Sequence, residues 1–304
     1  MCRVLAYLGH PVLLDDLLYK PDNSLVRQSY DPKMMRMLNL AGFGMAAWDG
    51  QSHDPKNPFT YRTPSLPIFD QNLRDLAQKI CATALIAHIR GVPYTEGSTV
   101  ASQNLHPFRF KGFRLAMAHN GDLWSFPDMK FHLLQHIHPG IAQSIQGTTD
   151  SEWIYAVLMS QFKDPTADVG VSEITRAVER TLTLIAEVRQ KLGIHVASPV
   201  NLFISNGNDL VATRYTFDYG CYPDDPAAVN LTYPTLWYTF GSDYGYHDGE
   251  WKMRGGPGNF DSVLLASEPL TQDVSTWLEV PEYSLLSVSI GREDHSVFTT
   301  PLDI

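Results

Sequence analysis

Apolar residues recur along this chain in short runs bounded by turn-forming residues, a spacing that predicts strands. The runs are Arg3–Leu8, Phe43–Trp48, Leu85–Ile89, Arg114–Ala118, Asn201–Ser205, Leu210–Arg214, Leu236–Phe240, Ser262–Ala266 and Ser284–Val288. Two of them flank Asn206-Gly207-Asn208 and predict a hairpin, because Asn-Gly tolerates the positive φ angles of a tight turn. Helical spacing appears between them. Asp70–Thr83 carries Leu73, Leu76 and Ile80 three and four residues apart. Asp150–Phe162 follows Thr148-Thr149, with acids in the first turn where the helix dipole favours them. Val171–Leu192, opened by Ser172 and Glu173, keeps Ile174, Val178, Leu182, Ile185 and Leu192 largely on one face. Thr213 to Gly258 is richer in Tyr, Asp, Pro and Gly, and reads as long loops around a few short strands. Many strands with a middle cluster of helices predict packed sheets covered by helices, an α+β arrangement.

Composition narrows the function classes. The 304 residues are 44% hydrophobic and 18% charged, and the net charge is -10 without any basic block. Binding to nucleic acid through phosphate neutralisation is disfavoured. No apolar stretch approaches the roughly 18–20 residues of a membrane span. The start, Met1-Cys2-Arg3-Val4, lacks the basic region and sustained apolar run of a signal peptide. Cys2, Cys81 and Cys221 are too few and too separated for a disulfide framework or a zinc-cysteine site. The expectation is a cytoplasmic, soluble protein.

No phosphate loop, H-E-x-x-H, C-x-x-C or G-x-S-x-G motif occurs, and Gly255-Gly256-Pro257-Gly258 reads as a loop. His132 and His136 would share a helical face, but no carboxylate or cysteine supports them as metal ligands, and an ordinary helix is the better reading. Cys2 is more informative. Removal of Met1 would put a thiol and a free α-amino group on one residue, a nucleophile beside a base that is partly neutral at physiological pH. The alternative is a small residue in a buried N-terminal strand. Ala116–Leu123 runs from a strand into Asn120-Gly121, which can supply two donors to an oxyanion or can simply turn a hairpin. Ala87-His88-Ile89-Arg90 ends a strand on a guanidinium suited to a carboxylate, or to a surface ion pair. Asp150, in Gly147-Thr148-Thr149-Asp150-Ser151-Glu152, could hold an amine or stabilise the helix N-terminus.

Together and in this order, Met1-Cys2-Arg3, the Arg90 strand end, Asn104-Leu105-His106-Pro107-Phe108, His119-Asn120-Gly121-Asp122-Leu123 and Thr149-Asp150-Ser151-Glu152 resemble the class II glutamine amidotransferases of the N-terminal-nucleophile (Ntn) hydrolase superfamily. Asn23–Ser29 and Ala266-Ser267-Glu268-Pro269-Leu270 resemble its small stand-alone branch, which includes γ-glutamyl hydrolases of ergothioneine biosynthesis and of glutathione breakdown. The resemblance implies a four-layer αββα sandwich of two stacked antiparallel sheets, one domain over residues 2–304, and removal of Met1. It implies Cys2 as nucleophile with its α-amino group as base, and Asn120 and Gly121 as the oxyanion hole. Arg90 would bind the substrate α-carboxylate and Asp150 its α-ammonium, with His106 near the glutamyl group. It implies no cofactor and no metal.

Gly91–Gly97 departs from the family in lacking an aromatic residue directly after the arginine, and the loop on to Asn104 is longer than in the sugar-phosphate enzymes. The expected activity is hydrolysis of a γ-glutamyl amide, glutamine or a γ-glutamyl metabolite, through a thioester on Cys2. The alternatives are an ammonia-supplying subunit with a synthase partner, or a binding module for γ-glutamyl metabolites with little turnover. Neither nucleic acid nor membrane is expected as a partner.

Overall fold

The computed structural model describes residues 2–34, 38–91, 100–222, 234–255, 260–290 and 295–304. In chain order, the first elements are β1 (Arg3–Leu13), α1 (Leu14–Leu18), β2 (Phe43–Trp48), β3 (Phe59–Thr63), α2 (Gln71–Ala77), β4 (Cys81–Ile89) and β5 (Ala116–Gly121). The helical middle follows, with α3 (Phe126–Leu134), α4 (Pro139–Ala142), α5 (Asp150–Met159) and α6 (Val171–Lys191). Then come β6 (Ser198–Ser205), β7 (Asp209–Arg214), β8 (Thr216–Phe217), β9 (Trp237–Gly241), β10 (Asp243–His247) and β11 (Glu250–Arg254). The last are β12 (Ser262–Ala266), β13 (Leu278–Glu279), β14 (Ser284–Ser289) and β15 (Ser296–Pro301).

Two antiparallel sheets stack face to face. One has the order β13-β9-β12-β1-β4-β2-β3, the other β15-β14-β7-β6-β5 with β8 on β6, and β10-β11 form a separate hairpin. The period-2 alternation of each strand sorts its residues between two cores. Val4, Ala6 and Leu8 of β1 meet Ala116, Ala118, Phe203 and Leu286 between the sheets. Leu5 and Tyr7 face the other way, onto Leu14, Leu17 and Leu18 of α1 and Leu73 of α2. On the far side, Met117, Leu202 and Ile204 pack on Ile154 and Leu158 of α5 and on Val178, Leu182 and Ile185 of α6. The layers are therefore α, β, β, α, the expected sandwich. No helix among the described residues is long and apolar enough to cross a membrane.

Every strand-like run falls on a strand; Phe43–Trp48 and Ser262–Ala266 match β2 and β12, and the others have shifted ends. Arg3–Leu8 continues to Leu13 through a change of register between Leu8 and Val12, which carries it past Gly9-His10-Pro11. Gly207 turns the β6–β7 hairpin at φ 94°. The helix expected over Asp70–Thr83 stops at Ala77, and Cys81 already pairs with Leu13 in β4. Its tail instead takes the alternation that buries Ala82 and Ala84. Asp70 caps α2 by accepting from Leu73 N at 3.0 Å. The helix expected over Asp150–Phe162 ends at Met159, and α6 is entered from Gly170 rather than capped by Ser172. The helix carrying His132 ends at Leu134, so His136 does not share its face. Most of the loop after Arg90, and Gly256 to Gly258 of the glycine cluster, lie outside the described residues.

Candidate active site

Strand register brings distant residues to one end of the sandwich. Arg3 opposes Ile89, so the start of β1 lies beside the end of β4, where Arg90 and Gly91 follow. Leu5 opposes Ala266, which sets the end of β12 and Ser267 beside the same start. Cys2 is in phase with Val4 and Ala6, His88 with Ile86, Asn120 with Ala118, and Ser267 with Leu265, all of which face the space between the sheets.

Cys2 is buried. Its Sγ lies 3.5 Å from the Gly91 amide, which donates to it, and 3.7 Å from the Gly91 carbonyl, to which it donates. Arg3, wholly buried, donates from Nη1 to the Cys2 carbonyl at 3.2 Å and approaches Glu268 at 3.9 Å. A cleft of ≈ 580 Å³ opens over Cys2, and Arg90, His106, Gly121 and Asp150 line it. Of the predicted site residues only Asn120 is absent from this lining. It is fully buried, with its amide nitrogen 3.3 Å from Ser267 Oγ.

The structure shows the surroundings of three segments whose sequence left alternatives open. Asn120 and Gly121 are not a hairpin turn, because they continue β5 and pair with Asn201 and Val200 of β6. A side chain at position 121 would collide with the Pro199 carbonyl and come within 2.5 Å of His119 Nε2, so only glycine fits. Arg90 is half-buried in the cleft rather than on the open surface. Burial draws its guanidinium below the ordinary value, and Cys2 and Asp150 oppose that shift. The capping of α5 falls to Thr149, whose Oγ1 accepts from Glu152 N at 3.3 Å. Asp150 accepts from Leu123 N at 2.8 Å and from Ser151 N at 2.7 Å, which ties the helix to the chain leaving Gly121. Asn104 anchors the same helix entry, donating to Thr148 Oγ1 at 3.1 Å and accepting from Thr148 N at 2.9 Å.

His106, expected near the glutamyl group, has two histidine neighbours, His88 and His119, to which the sequence assigned no role. His88, His106 and His119 are buried around the cleft floor, and the His88 and His106 rings lie 4.0 Å apart. Burial lowers all three, with His88 drawn down to about 3, so they are neutral at physiological pH. His119 Nδ1 meets Ser151 Oγ at 2.9 Å, and that hydroxyl reaches Asp150 Oδ1 at 3.1 Å. The strand alternation of Ala84, Ile86 and His88 is the signal that could have placed His88. Among the described residues no cluster of three or more His, Cys, Asp or Glu could hold a metal ion.

Asp122, beside Asp150 on the cleft wall, has an open surface. Even so, protein crowding its carboxyl and, next, the Asp150 charge raise it to about 6. A raised carboxyl favours the fold in its protonated form. That contribution is complete below its ordinary 3.8 and is lost as pH rises through about 6. Asp122→Asn is therefore expected to melt above wild type at pH 8 but not at pH 4. Equal gains at both values contradict this charge penalty.

Comparisons with known proteins agree with this geometry. The family model described as "Glutamine amidotransferases class-II" matches residues 40–219. The chain is 29% identical to the probable glutamine amidotransferase DUG3 of Saccharomyces cerevisiae, over 95% of this chain and 82% of that protein. It is 23% identical to a gamma-glutamyl-hercynylcysteine sulfoxide hydrolase of Mycolicibacterium smegmatis, over 99% of this chain and 100% of that one. In fold it is similar to a glutamine aminotransferase class-II domain protein from Silicibacter pomeroyi, with a TM-score of 0.60 at 18% identity over the whole of both chains. It is also similar to the glutamine phosphoribosylpyrophosphate amidotransferase of Bacillus subtilis, with a TM-score of 0.58 at 17% identity over all of this chain and 50% of that one. The matched segment carries Arg90, His106, Asn120, Gly121 and Asp150, and the sandwich that brings them to Cys2 is shared in fold with those two structures. With the family model matched over more than half of its length, the chain belongs to the class-II glutamine amidotransferases.

Proposed function

We propose that this protein hydrolyses a γ-glutamyl amide through a γ-glutamyl thioester on Cys2. The observation that carries the reading is the shared cleft, in which a thiol, a guanidinium and a carboxylate stand beside Gly121 and Asn120. Arg90 takes the substrate α-carboxylate through two parallel hydrogen bonds, and Asp150 takes its α-ammonium. The thiol adds to the γ-carbonyl, and its proton passes through the α-amino group of Cys2 to the leaving amine as the C–N bond breaks. Asn120 and the Gly121 N–H receive the oxyanion. Water then cleaves the thioester, releasing the γ-carboxylate and restoring the thiol. His106, neutral on the cleft floor, packs near the glutamyl group.

A hydrolase acting in water is favoured over an ammonia-supplying subunit by the cleft itself. At ≈ 580 Å³ it falls within the roughly 300–1,000 Å³ typical of drug-sized ligands. Trp124, Phe126 and Pro127 also line it, which provides apolar surface for a leaving amine larger than ammonia. The Mycolicibacterium relative, matched over its whole length, is named as a γ-glutamyl hydrolase.

The chemistry requires a free amine on Cys2, so Met1 is expected to be absent from active protein. Intact mass and glutamate release from glutamine and γ-glutamyl p-nitroanilide, measured on one sample, test this. Activity should follow the fraction of chains beginning at Cys2. Full activity in protein that quantitatively retains Met1 removes the amine from the mechanism, and binding without turnover of any γ-glutamyl compound favours a binding module.

A further inference from the structure

Ser267 lies between the two halves of the proposed chemistry. Its Oγ accepts from Val4 N at 2.9 Å, and its own N–H donates to the Val4 carbonyl at 2.9 Å, which clamps β1 two residues past Cys2. The same Oγ is 3.3 Å from Asn120 Nδ2. In this arrangement the Asn120 amide oxygen is buried without a partner among the described residues. Ser267 is itself fully buried, and Val4 N–H already occupies one of its acceptor positions.

A hydroxyl has one proton to give and an amide has one accepting and one donating arm. The two arms exchange when the amide turns by 180° about its Cβ–Cγ bond, with no change in the space occupied. With the oxygen toward Ser267, the hydroxyl proton meets the amide oxygen while Val4 N–H keeps its acceptor. The hydroxyl proton and the amide oxygen, which is otherwise buried without a partner, then satisfy each other. The NH₂ arm then takes the place the oxygen held, and in the proposed mechanism it serves the oxyanion from there. With the nitrogen toward Ser267, the amide presents an oxygen there and opposes negative charge.

We propose that Ser267 is the positioning residue that turns the Asn120 amide, so that its NH₂ rather than its oxygen serves the oxyanion. The proposal rests on the γ-glutamyl hydrolase reading. The backbone N–H of residue 267 holds the Val4 carbonyl whatever the side chain, so β1 keeps its register when the hydroxyl is removed. Ser267 acts through Asn120 and touches no substrate.

The test uses the full chain with γ-glutamyl p-nitroanilide, or whichever γ-glutamyl compound is turned over. Ser267→Ala is expected to lower kcat between about 10- and 100-fold, short of the roughly 10²–10³ for deleting a donor outright, with KM within about two-fold. Ser267→Thr, which keeps the hydroxyl, should recover most of the rate. The double variant Ser267→Ala/Asn120→Ala should be no slower than Asn120→Ala alone, because the serine has nothing left to orient. Ser267→Cys covers the case in which alanine impairs folding. Its thiol is a weak donor, so the rate should fall although the side chain is nearly the same size. Wild-type kcat in Ser267→Ala or Ser267→Cys overturns the proposal, as does a serine loss that multiplies in full onto that of Asn120→Ala. If Asn120→Ala itself turns over normally, the hydrolase mechanism has failed instead, so the two failures are distinguishable.

Discussion

Cys2→Ala is expected to abolish turnover while leaving γ-glutamyl binding in place. The side chain is buried and meets the protein mainly through Gly91, with Sγ 3.5 Å from its amide and 3.7 Å from its carbonyl. Alanine removes one atom and these weak sulfur contacts, so a loss of stability of about 1 kcal/mol or less is the natural scale. Arg90 and Asp150, which make the proposed contacts to the α-carboxylate and α-ammonium, remain where they are. Chemistry then has no nucleophile, because the thioester cannot form. Acid-quenched wild type, caught during turnover, should carry a γ-glutamyl mass on the Cys2 peptide. Cys2→Ala should carry none, and calorimetry should still record ligand binding. A variant without the thiol that releases glutamate at the wild-type rate places the reaction at another site.

Asn120→Ala should lower turnover by about 10²–10³, or roughly 2.7–4 kcal/mol of transition-state stabilisation. The effect belongs on kcat, because the γ-carbonyl of bound substrate carries far less charge than the tetrahedral intermediate. The residue is fully buried at the end of β5, where its backbone pairs with Asn201 regardless of the side chain. Fold and cleft should therefore persist, with Ser267 still accepting from Val4 N. Steady-state kinetics beside binding to the Cys2→Ala, Asn120→Ala double variant separates the two effects. A matching rise in KM with kcat unchanged identifies Asn120 as a ground-state binding residue instead.

The strand-like runs were readable because alternation is a local property, and each run carries its buried face in its own residues. Val4, Ala6 and Leu8 announce one face of β1 without reference to any partner. The Val171–Leu192 stripe is equally self-contained, since α6 buries the face its periodicity marks. Boundaries were less secure. Ile80 to Thr83 satisfies a helical spacing and a strand alternation alike, and pairing of Cys81 with Leu13 makes Cys81 to Thr83 strand. That pairing partner lies far away along the chain.

The site divides in the same way. The order of Cys2, Arg90, His106, Asn120-Gly121 and Asp150 along the chain carries the family resemblance, and it named the residues that the cleft gathers or adjoins. Their local surroundings did not identify them, because each has an ordinary alternative within its own segment. Asn-Gly read alone is a turn, yet here it is strand, since β6 supplies the opposing backbone. Asp150 read alone stabilises a helix end, yet it reaches back to Leu123 N. Ser267 had no assigned role despite being quoted in its motif. Its importance comes only from antiparallel register, which sets the end of β12 against the start of β1 and across from the end of β5. Sequence by itself determined the strands, the long amphipathic helix and, by resemblance, the candidate residues of the site. Tertiary structure alone decided which arms of those residues meet, because hydrogen bonds between residues 4, 120 and 267 depend on sheet register and packing that no local stretch of chain encodes.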